Sequence, residues 1–451
     1  MLFLLHFLGG SGREWAEVAA RLGPGVDCRP LDLPGFGDAA ATQAYSVAEM
    51  ADHVATAVRA AAPGPWLMAG HSMGAKVAAC LARRAEQGEA GLEGLAGLIL
   101  LAGSPPAPEP MAAERRQDML GWFRGTEAER RAQAEGYVAA NAGTLPASAR
   151  ALAVQDVLRA VPAAWRAWLQ GGSREDWSAR VGVLRTPALI LAGEADADLG
   201  EAAQRRLMAP HFATARIAVV AGAKHLLPLE APEEVAGLFL GFLRGLPAPV
   251  PPAFLSLLQG EHTAARLRDS LLARAAPEDP DSRPASMDAA CFAVLRAVVD
   301  RVLPQPEFGR IDIAARLDHA LAEGIGDGWR YAGMPPDAEA FRAALRTLDA
   351  ACTGGSFVAQ DGTMQDATLR RVAEGQLGAA GEARLDAPRM ALWFEDLRAM
   401  ASRLYVAHPA TLARMGYGGV AAGGDAPVRT GFTRLGIGAR DSWEPDAAPR
   451  A

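Results

Sequence analysis

The sequence predicts an α/β architecture followed by a mainly α-helical domain, and three observations carry that reading. Up to about Gly245, short and nearly uninterrupted apolar runs alternate with segments of helical periodicity, the pattern of a parallel sheet with helical crossovers. A proline-rich joint, LPAPVPPAF at 246–254, then interrupts the chain, as prolines at that density do at a domain boundary. From Ser286 onward, apolar residues recur at helical spacing and no β-rich run competes. The expected domains are 1–247, a Pro-rich linker and connecting helix over 248–285, and a helical domain over 286–451.

The strand candidates are 2–7, 26–32, 66–71, 95–103, 187–193 and 215–222. Their continuous apolar character suits strands covered on both faces. Helices are predicted over 46–61 and 73–87. Residues 106–178 break the rhythm: they contain helical stretches at 111–141 and 151–169 but no convincing strand. Helices inserted between sheet elements in this way are what a cap over a site looks like. Trp122, Trp165 and Trp168 lie in this interval, and packing within the cap is favoured over lining a pocket for any one of them. In the second half, a helical segment at 255–275 and a polar loop at 277–284 precede helices at 287–303, 311–325, 337–352, 363–377 and 388–408. The last forty residues are Gly-rich and irregular.

Half of the 451 residues are apolar and 22% are charged, which supplies material for two cores. The net charge is -7 and the arginine clusters are short, so nucleic acid is a poor partner. Cys28, Cys80, Cys291 and Cys352 are far apart with no C-x-x-C pair, which argues against a disulfide framework or a structural zinc site. Core positions are expected for Cys28 and Cys80. The opening MLFLLHFLGGSG has no basic residue before its apolar run and reads as a buried strand feeding a loop rather than a signal peptide. No apolar run approaches the roughly 20 residues of a membrane span. The expectation is a soluble, cytoplasmic protein, periplasmic only if exported with a partner.

The chemistry is concentrated at Gly70-His71-Ser72-Met73-Gly74, a G-x-S-x-G pattern set between a strand and a helix. A chain that turns this sharply leaves no room for side chains at the two glycines, and the turn lifts the Ser72 hydroxyl above the sheet. A nucleophilic serine needs a base, and the base needs an orienting carboxylate. Asp196, three residues beyond Gly193 at a strand end, is the preferred acid. Asp198 is the runner-up, and Glu194 is expected to face solvent or support the loop. His225 follows the last strand and is the preferred base. His211 precedes that strand and reads as structural, and His6 as a residue that fixes its own loop. The expected oxyanion donors are the amides of Met73 and Leu8, with Phe7 the alternate to Leu8. No metal or organic cofactor is required by this reading.

On HFLGGSGREW (6–15), DLPGFGDA (32–39), GHSMG (70–74), ALILAGEADADLG (188–200) and AKHLLPLEAPEEV (223–235), the first half resembles the α/β-hydrolase fold proteins, particularly the carboxylesterase, lactonase and acyl-thioester hydrolase branch. The resemblance implies an α/β-hydrolase sheet with a helical cap, and places the family's nucleophile, acid and base on Ser72, Asp196 and His225. It also implies a small-molecule ester or lactone substrate; haloperoxidase-type or C–C bond hydrolysis on the same scaffold is a third option. Two departures stand out. Phe7 occupies the place where the family usually has glycine, and the chain begins in what the family numbers its third strand, through either a reduced sheet or a start placed too late.

The second half carries no convergent catalytic set. His319 and His408 are far apart and read as structural, Asp441, Glu444 and Asp446 as exposed acids of an irregular tail. Trp329, Tyr331, Trp393, Phe394, Tyr405 and Tyr417 read as apolar anchors. On 293–321, 394–409 and 413–425 this half resembles the small subunit, subunit 3, of gluconate 2-dehydrogenase complexes. That family implies a helical fold, no active site of its own, and a flavoprotein dehydrogenase subunit as partner. Its members commonly carry a twin-arginine export signal, which this sequence lacks. An accessory subunit docking a sugar or polyol dehydrogenase is therefore the alternative to a hydrolase.

Overall fold

The apolar runs of the first half become six strands: β1 (Leu2–Leu5), β2 (Cys28–Leu31), β3 (Trp66–His71), β4 (Leu95–Leu101), β5 (Ala188–Gly193) and β6 (Ala215–Val220). They pair in parallel in the order β2-β1-β3-β4-β5-β6. The structure is a computed structural model that describes all residues except 62–64, 277–282, 307, 327, 353–354, 422, 426–431, 435, 438, 443 and 445–451. The chain separates into two units, Met1–Pro249 and Val250–Ala451.

Strand order places the site. The chain runs outward from β1 to β2 and then returns to the other side of β1 to form β3. The loops leaving β1 and β3 therefore part in opposite directions, and a crevice opens between their carboxyl ends. The inner strands β1, β3 and β5 are buried along their whole length. The edge strands are not: β2 and most of β6 are only partly covered. Their apolar runs suggested cover on both faces, but an edge strand has a neighbour on one side only. Cys28, on β2, is accordingly half-buried, whereas Cys80 is buried, and all four cysteines are free.

Crossover helices pack on the sheet. α1 (Ala16–Leu22) and α2 (Val47–Ala60) follow β1 and β2, and α3 (Met73–Glu86) follows β3. Ser46 caps α2 in a reciprocal capping box with Glu49, which satisfies amides that the first turn leaves without partners. From Met73 to Ala82 every residue of α3 is buried, so each large apolar side chain there contributes about 1.5–3 kcal/mol.

The interval 106–178 is helical, without a named strand among its described residues: α4 (Ala113–Leu120), α5 (Glu127–Asn141), α6 (Ala147–Arg159) and α7 (Pro162–Ala167). The stretch 111–141 is two helices rather than one. Phe123 and Gly125 between them adopt positive φ of 67° and 98°, conformations a helix cannot contain. Trp165 is the packing centre, with its ring 5.5 Å from Trp122 and 5.2 Å from Tyr137 and its indole donating to Met119 O. The short helices α8 (Ser178–Val181), α9 (Glu201–Ala203) and α10 (Leu227–Glu230) and the longer α11 (Pro232–Gly245) complete the unit.

The second unit is built from helices. α12 (Pro252–Gln259) and α13 (Ala265–Ala275) occupy the stretch read as one helical segment, broken at Gly260, and enclose Val420 and Ala421. α14 (Ala289–Val302), α15 (Ile313–Glu323), α16 (Asp337–Ala350), α17 (Gly362–Ala373) and α18 (Ala387–Val406) pack on one another, followed by α19 (Pro409–Arg414). Aspartates 288, 312, 361 and 386 each cap a helix by accepting an amide hydrogen bond. Trp393 and Phe394 are buried anchors, with Trp393 edge-on to Phe341 at 5.9 Å. Trp329 and Tyr417 depart from expectation, being 56% and 49% exposed. Of the polar loop at 277–284, residues 277–282 lie outside the described residues.

Candidate active site

The strand-to-helix turn at Ser72 is sterically enforced. Ser72 has φ 52° and ψ -113°, a region that non-glycine residues adopt only when the surroundings over-determine it. A Cβ on Gly70 would lie 2.5 Å from Gly74 O, and one on Gly74 would lie 2.8 Å from both Cβ and O of Leu5. The Ser72 amide donates to Leu101 O, and Ser72 O accepts from the amides of Ala75 and Ser104. The hydroxyl is thus held at the carboxyl end of β3, over the crevice.

His225 and Asp196 arrive from the loops after β6 and β5. His225 Nε2 stands 2.9 Å from Ser72 Oγ, and His225 Nδ1 stands 2.8 Å from Asp196 Oδ2. The other oxygen of Asp196 accepts the amides of Asp198 and Leu199, each at 3.0 Å. Burial pushes the Asp196 carboxyl up, but the His225 hydrogen bond and charge and the two amides outweigh it and hold it down at about 2. For His225, burial pulls downward, yet the hydrogen bond and charge of Asp196, with Glu109 and Asp198 behind it, leave the imidazole above its ordinary value. Asp198 turns away and pairs with Arg115. Glu194 accepts the Gly222 amide and so braces the β5 and β6 loops. His211 bonds to Gly182 O. His6 accepts the Leu33 amide on Nε2, leaving its Nδ1 hydrogen for Phe7 O, which ties its loop to the segment after β2.

Leu8 and Met73 are the expected oxyanion donors. Met73 opens α3, where the amides of the first turn lack helical acceptors, and among the described residues neither its N–H nor that of Leu8 is bonded to an acceptor. Leu8 lines the cavity over Ser72, while the Phe7 ring is buried beside His71 and Tyr137.

The cavity over Ser72 is small, about 40 Å³, and is lined by Leu8, Met111, Met119, Trp168 and Leu199 together with the polar Glu109, Arg115 and Asn141. Of the three cap tryptophans, only Trp168 reaches it. Glu109 accepts from Ser104 Oγ at 2.6 Å. Burial pushes its carboxyl up against the opposing pull of that bond and of His225, Lys76 and Arg116. Lys76, fully buried on α3, donates to Glu175 O at 2.6 Å and Ala107 O at 3.3 Å. Both legs of the cap are therefore pinned to the helix that follows Ser72.

Sequence reasoning assigned no role to Glu14, His71, Glu109 or Lys76. Their residue types are ordinary for helices and loops, and what sets them apart is burial, complete for Glu14, His71 and Lys76 and partial for Glu109, which one sequence does not display. In the second unit, His319 is exposed beside Glu323, and His408 caps α19 through the Ala410 amide. Asp441, expected to be exposed, is buried and accepts from Thr433, with Glu444 in turn accepting its amide. Asp446 lies outside the described residues. Among those residues no cluster of three or more His, Cys, Asp or Glu could hold a metal ion, and no helix is long and apolar enough to cross a membrane.

A parallel sheet whose strands are joined by helices and a serine at a strand–turn–helix elbow define the α/β-hydrolase class. The chain belongs to the alpha/beta hydrolase family, whose model matches residues 2–238. Residues 289–424 match gluconate 2-dehydrogenase subunit 3, so the two halves join two families in one chain. The first half is similar to the pimeloyl-[acyl-carrier protein] methyl ester esterase of Neisseria meningitidis serogroup B, with 28% identity over 259 residues covering 54% of this chain and 93% of that protein. It is also 28% identical to the biotin biosynthesis bifunctional protein BioHC of Cellvibrio japonicus, over 55% of this chain and 49% of that protein. A solved esterase from Exiguobacterium antarcticum matches at 17% identity and TM-score 0.46, over 53% of this chain and 90% of that one. The chain is a hydrolase with esterase relatives.

Proposed function

We propose that the protein cleaves carboxylic esters or lactones by acyl transfer through a Ser72–His225–Asp196 triad. The observation that carries this reading is the unbroken hydrogen-bonded chain from Ser72 Oγ through His225 to Asp196, at 2.9 and 2.8 Å. Ser72 Oγ attacks the carbonyl carbon while His225 Nε2 takes its proton, and Asp196 holds the Nδ1–H tautomer and stabilises the imidazolium. The amides of Leu8 and Met73 receive the tetrahedral oxyanion. His225 then returns the proton to the leaving alcohol, and water cleaves the acyl-enzyme by the same path in reverse. The small cavity beneath Trp168 and Met111 favours a short group on one side of the carbonyl.

The test is turnover by wild type and Ser72→Ala on short-chain aryl esters, thioesters and sugar lactones. Activity that disappears in the variant supports the triad. Equal rates in two folded proteins would overturn it.

A second role is supported by the match of residues 289–424: the helical unit docks a flavoprotein dehydrogenase, whose oxidation of a sugar would yield a lactone for the hydrolase unit. Co-purification of a flavin-containing subunit with the full chain, lost on deleting 286–451, supports this role. Absence of any flavoprotein from the purified native complex would sink it.

A further inference from the structure

The triad has a second hydrogen-bonded chain beneath it. His71 immediately precedes Ser72, and its Nε2 lies 2.7 Å from the main-chain oxygen of His225. Its Nδ1 lies 3.1 Å from Glu14 Oε1. Both side chains are essentially excluded from water, with Phe7, Trp15 and His225 packed around the His71 ring. Glu14 follows the loop that carries Leu8, and its Oε2 lies 3.1 Å from where a Cβ on Gly10 would stand, with no hydrogen-bond partner among the described residues. One chain of two side chains thus joins the oxyanion loop, the elbow and the backbone of the base.

We propose that Glu14 and His71 are positioning residues that lock the His225 backbone to the Ser72 elbow, with Glu14 acting as a neutral hydrogen-bond donor; this rests on the triad reading above. A carbonyl accepts only, so His71 Nε2 must carry a hydrogen toward His225 O. Nδ1 of a neutral imidazole is then an acceptor, and the group facing it must donate. A protonated Glu14 satisfies that requirement. The alternative is an imidazolium–carboxylate pair sealed from water, with one carboxylate oxygen unpartnered, and burying such charges is expensive. Burial pushes Glu14 well above the usual carboxylate range, with the help of Asp156 and against the pull of His6, the Phe7 backbone amide and His225. It also lowers His71 to about 3. The His225 backbone is held from its other side as well, its amide donating to Asn141 O at 3.0 Å. Loss of the His71 bond therefore removes one of these two backbone anchors and lets His225 Nε2 drift from Ser72 Oγ, while the amide bond to Asn141 keeps the His225 loop from leaving the site.

The test measures the rate of Ser72 labelling by an aryl fluorophosphonate, with kcat and KM on an aryl ester, in wild type, Ser72→Ala, Glu14→Gln and Glu14→Met. Glutamine keeps a neutral donor of the same length and is expected within about threefold of wild type, whereas methionine is expected to lower kcat and the labelling rate about 10- to 100-fold with KM little changed. A folded Glu14→Met that labels at the wild-type rate, or a Glu14→Gln as slow as Glu14→Met, overturns the proposal. Should the methionine variant not fold, His71→Gln, which can replace only one of the two bonds, is expected to label about 10-fold more slowly, and an unchanged rate overturns the proposal equally. A wild type that labels no faster than Ser72→Ala overturns the triad reading itself, and the positioning role with it.

Discussion

His225 Nε2 meets Ser72 Oγ at 2.9 Å across 153 residues of sequence. The contact is made at the crevice where the strand order reverses, so an intact sheet and a correctly placed β6 loop are both needed for it. Substitutions sort by whether they touch the chemistry or the scaffold that brings these two residues together.

Activity should fall on the acid side as His225 protonates, because only the neutral imidazole accepts the serine proton. Its pKa lies above the ordinary 6.5, so the acid limb of kcat/KM should fall at a higher pH than that of a free histidine. Asp196→Asn removes the charge that favours the imidazolium; it should shift that limb to lower pH and lower the rate about 10³- to 10⁴-fold. An unshifted limb would assign the titration to another group.

Glu109→Gln gives a smaller effect of the same sign. Glu109 contributes to raising His225 without touching it, so its neutralisation should move the limb downward while kcat at the plateau stays within about threefold of wild type. A pH–rate profile of the two proteins measured side by side decides this.

Gly74→Ala places a methyl against the Cβ and carbonyl oxygen of Leu5 and the carbonyl of His6, at 2.8 to 2.9 Å. Backbone cannot step aside as a side-chain tip can, and a cost of about 1–3 kcal/mol is expected. Urea unfolding of the isolated transition of the first unit should show it, along with lower activity from a displaced Ser72.

Asp156, buried on cap helix α6, accepts from Ser11 Oγ at 2.7 Å and pairs with Arg13. Asp156→Ala leaves the buried Ser11 hydroxyl without its partner, and a loss of about 1–3 kcal/mol is expected. Since Ser11 lies just beyond the Leu8 loop, thermal melting and fluorophosphonate labelling should both respond. Stability that is unaltered would mean water replaces the carboxylate.

Local chemistry made much of this readable from the chain. The six strand segments were visible as short continuous apolar runs and the helical cap interval and second half as helical periodicity, because burial sets the apolar pattern of the element that is buried. Ser72 stood out for the same kind of reason: the glycines of its turn are a steric requirement of the nearest neighbours in sequence. Asp196 and His225 were reached through chain order and strand ends. Tertiary structure alone decided what turned on distant partners. It turned Asp198, the runner-up acid, onto Arg115. It left β2 and most of β6 only partly covered at the sheet edges, broke 111–141 into two helices, and buried Glu14 and His71 and half-buried Glu109 around the site. Those outcomes follow from desolvation and contact between segments many residues apart, and neither leaves a period or a local motif in the sequence.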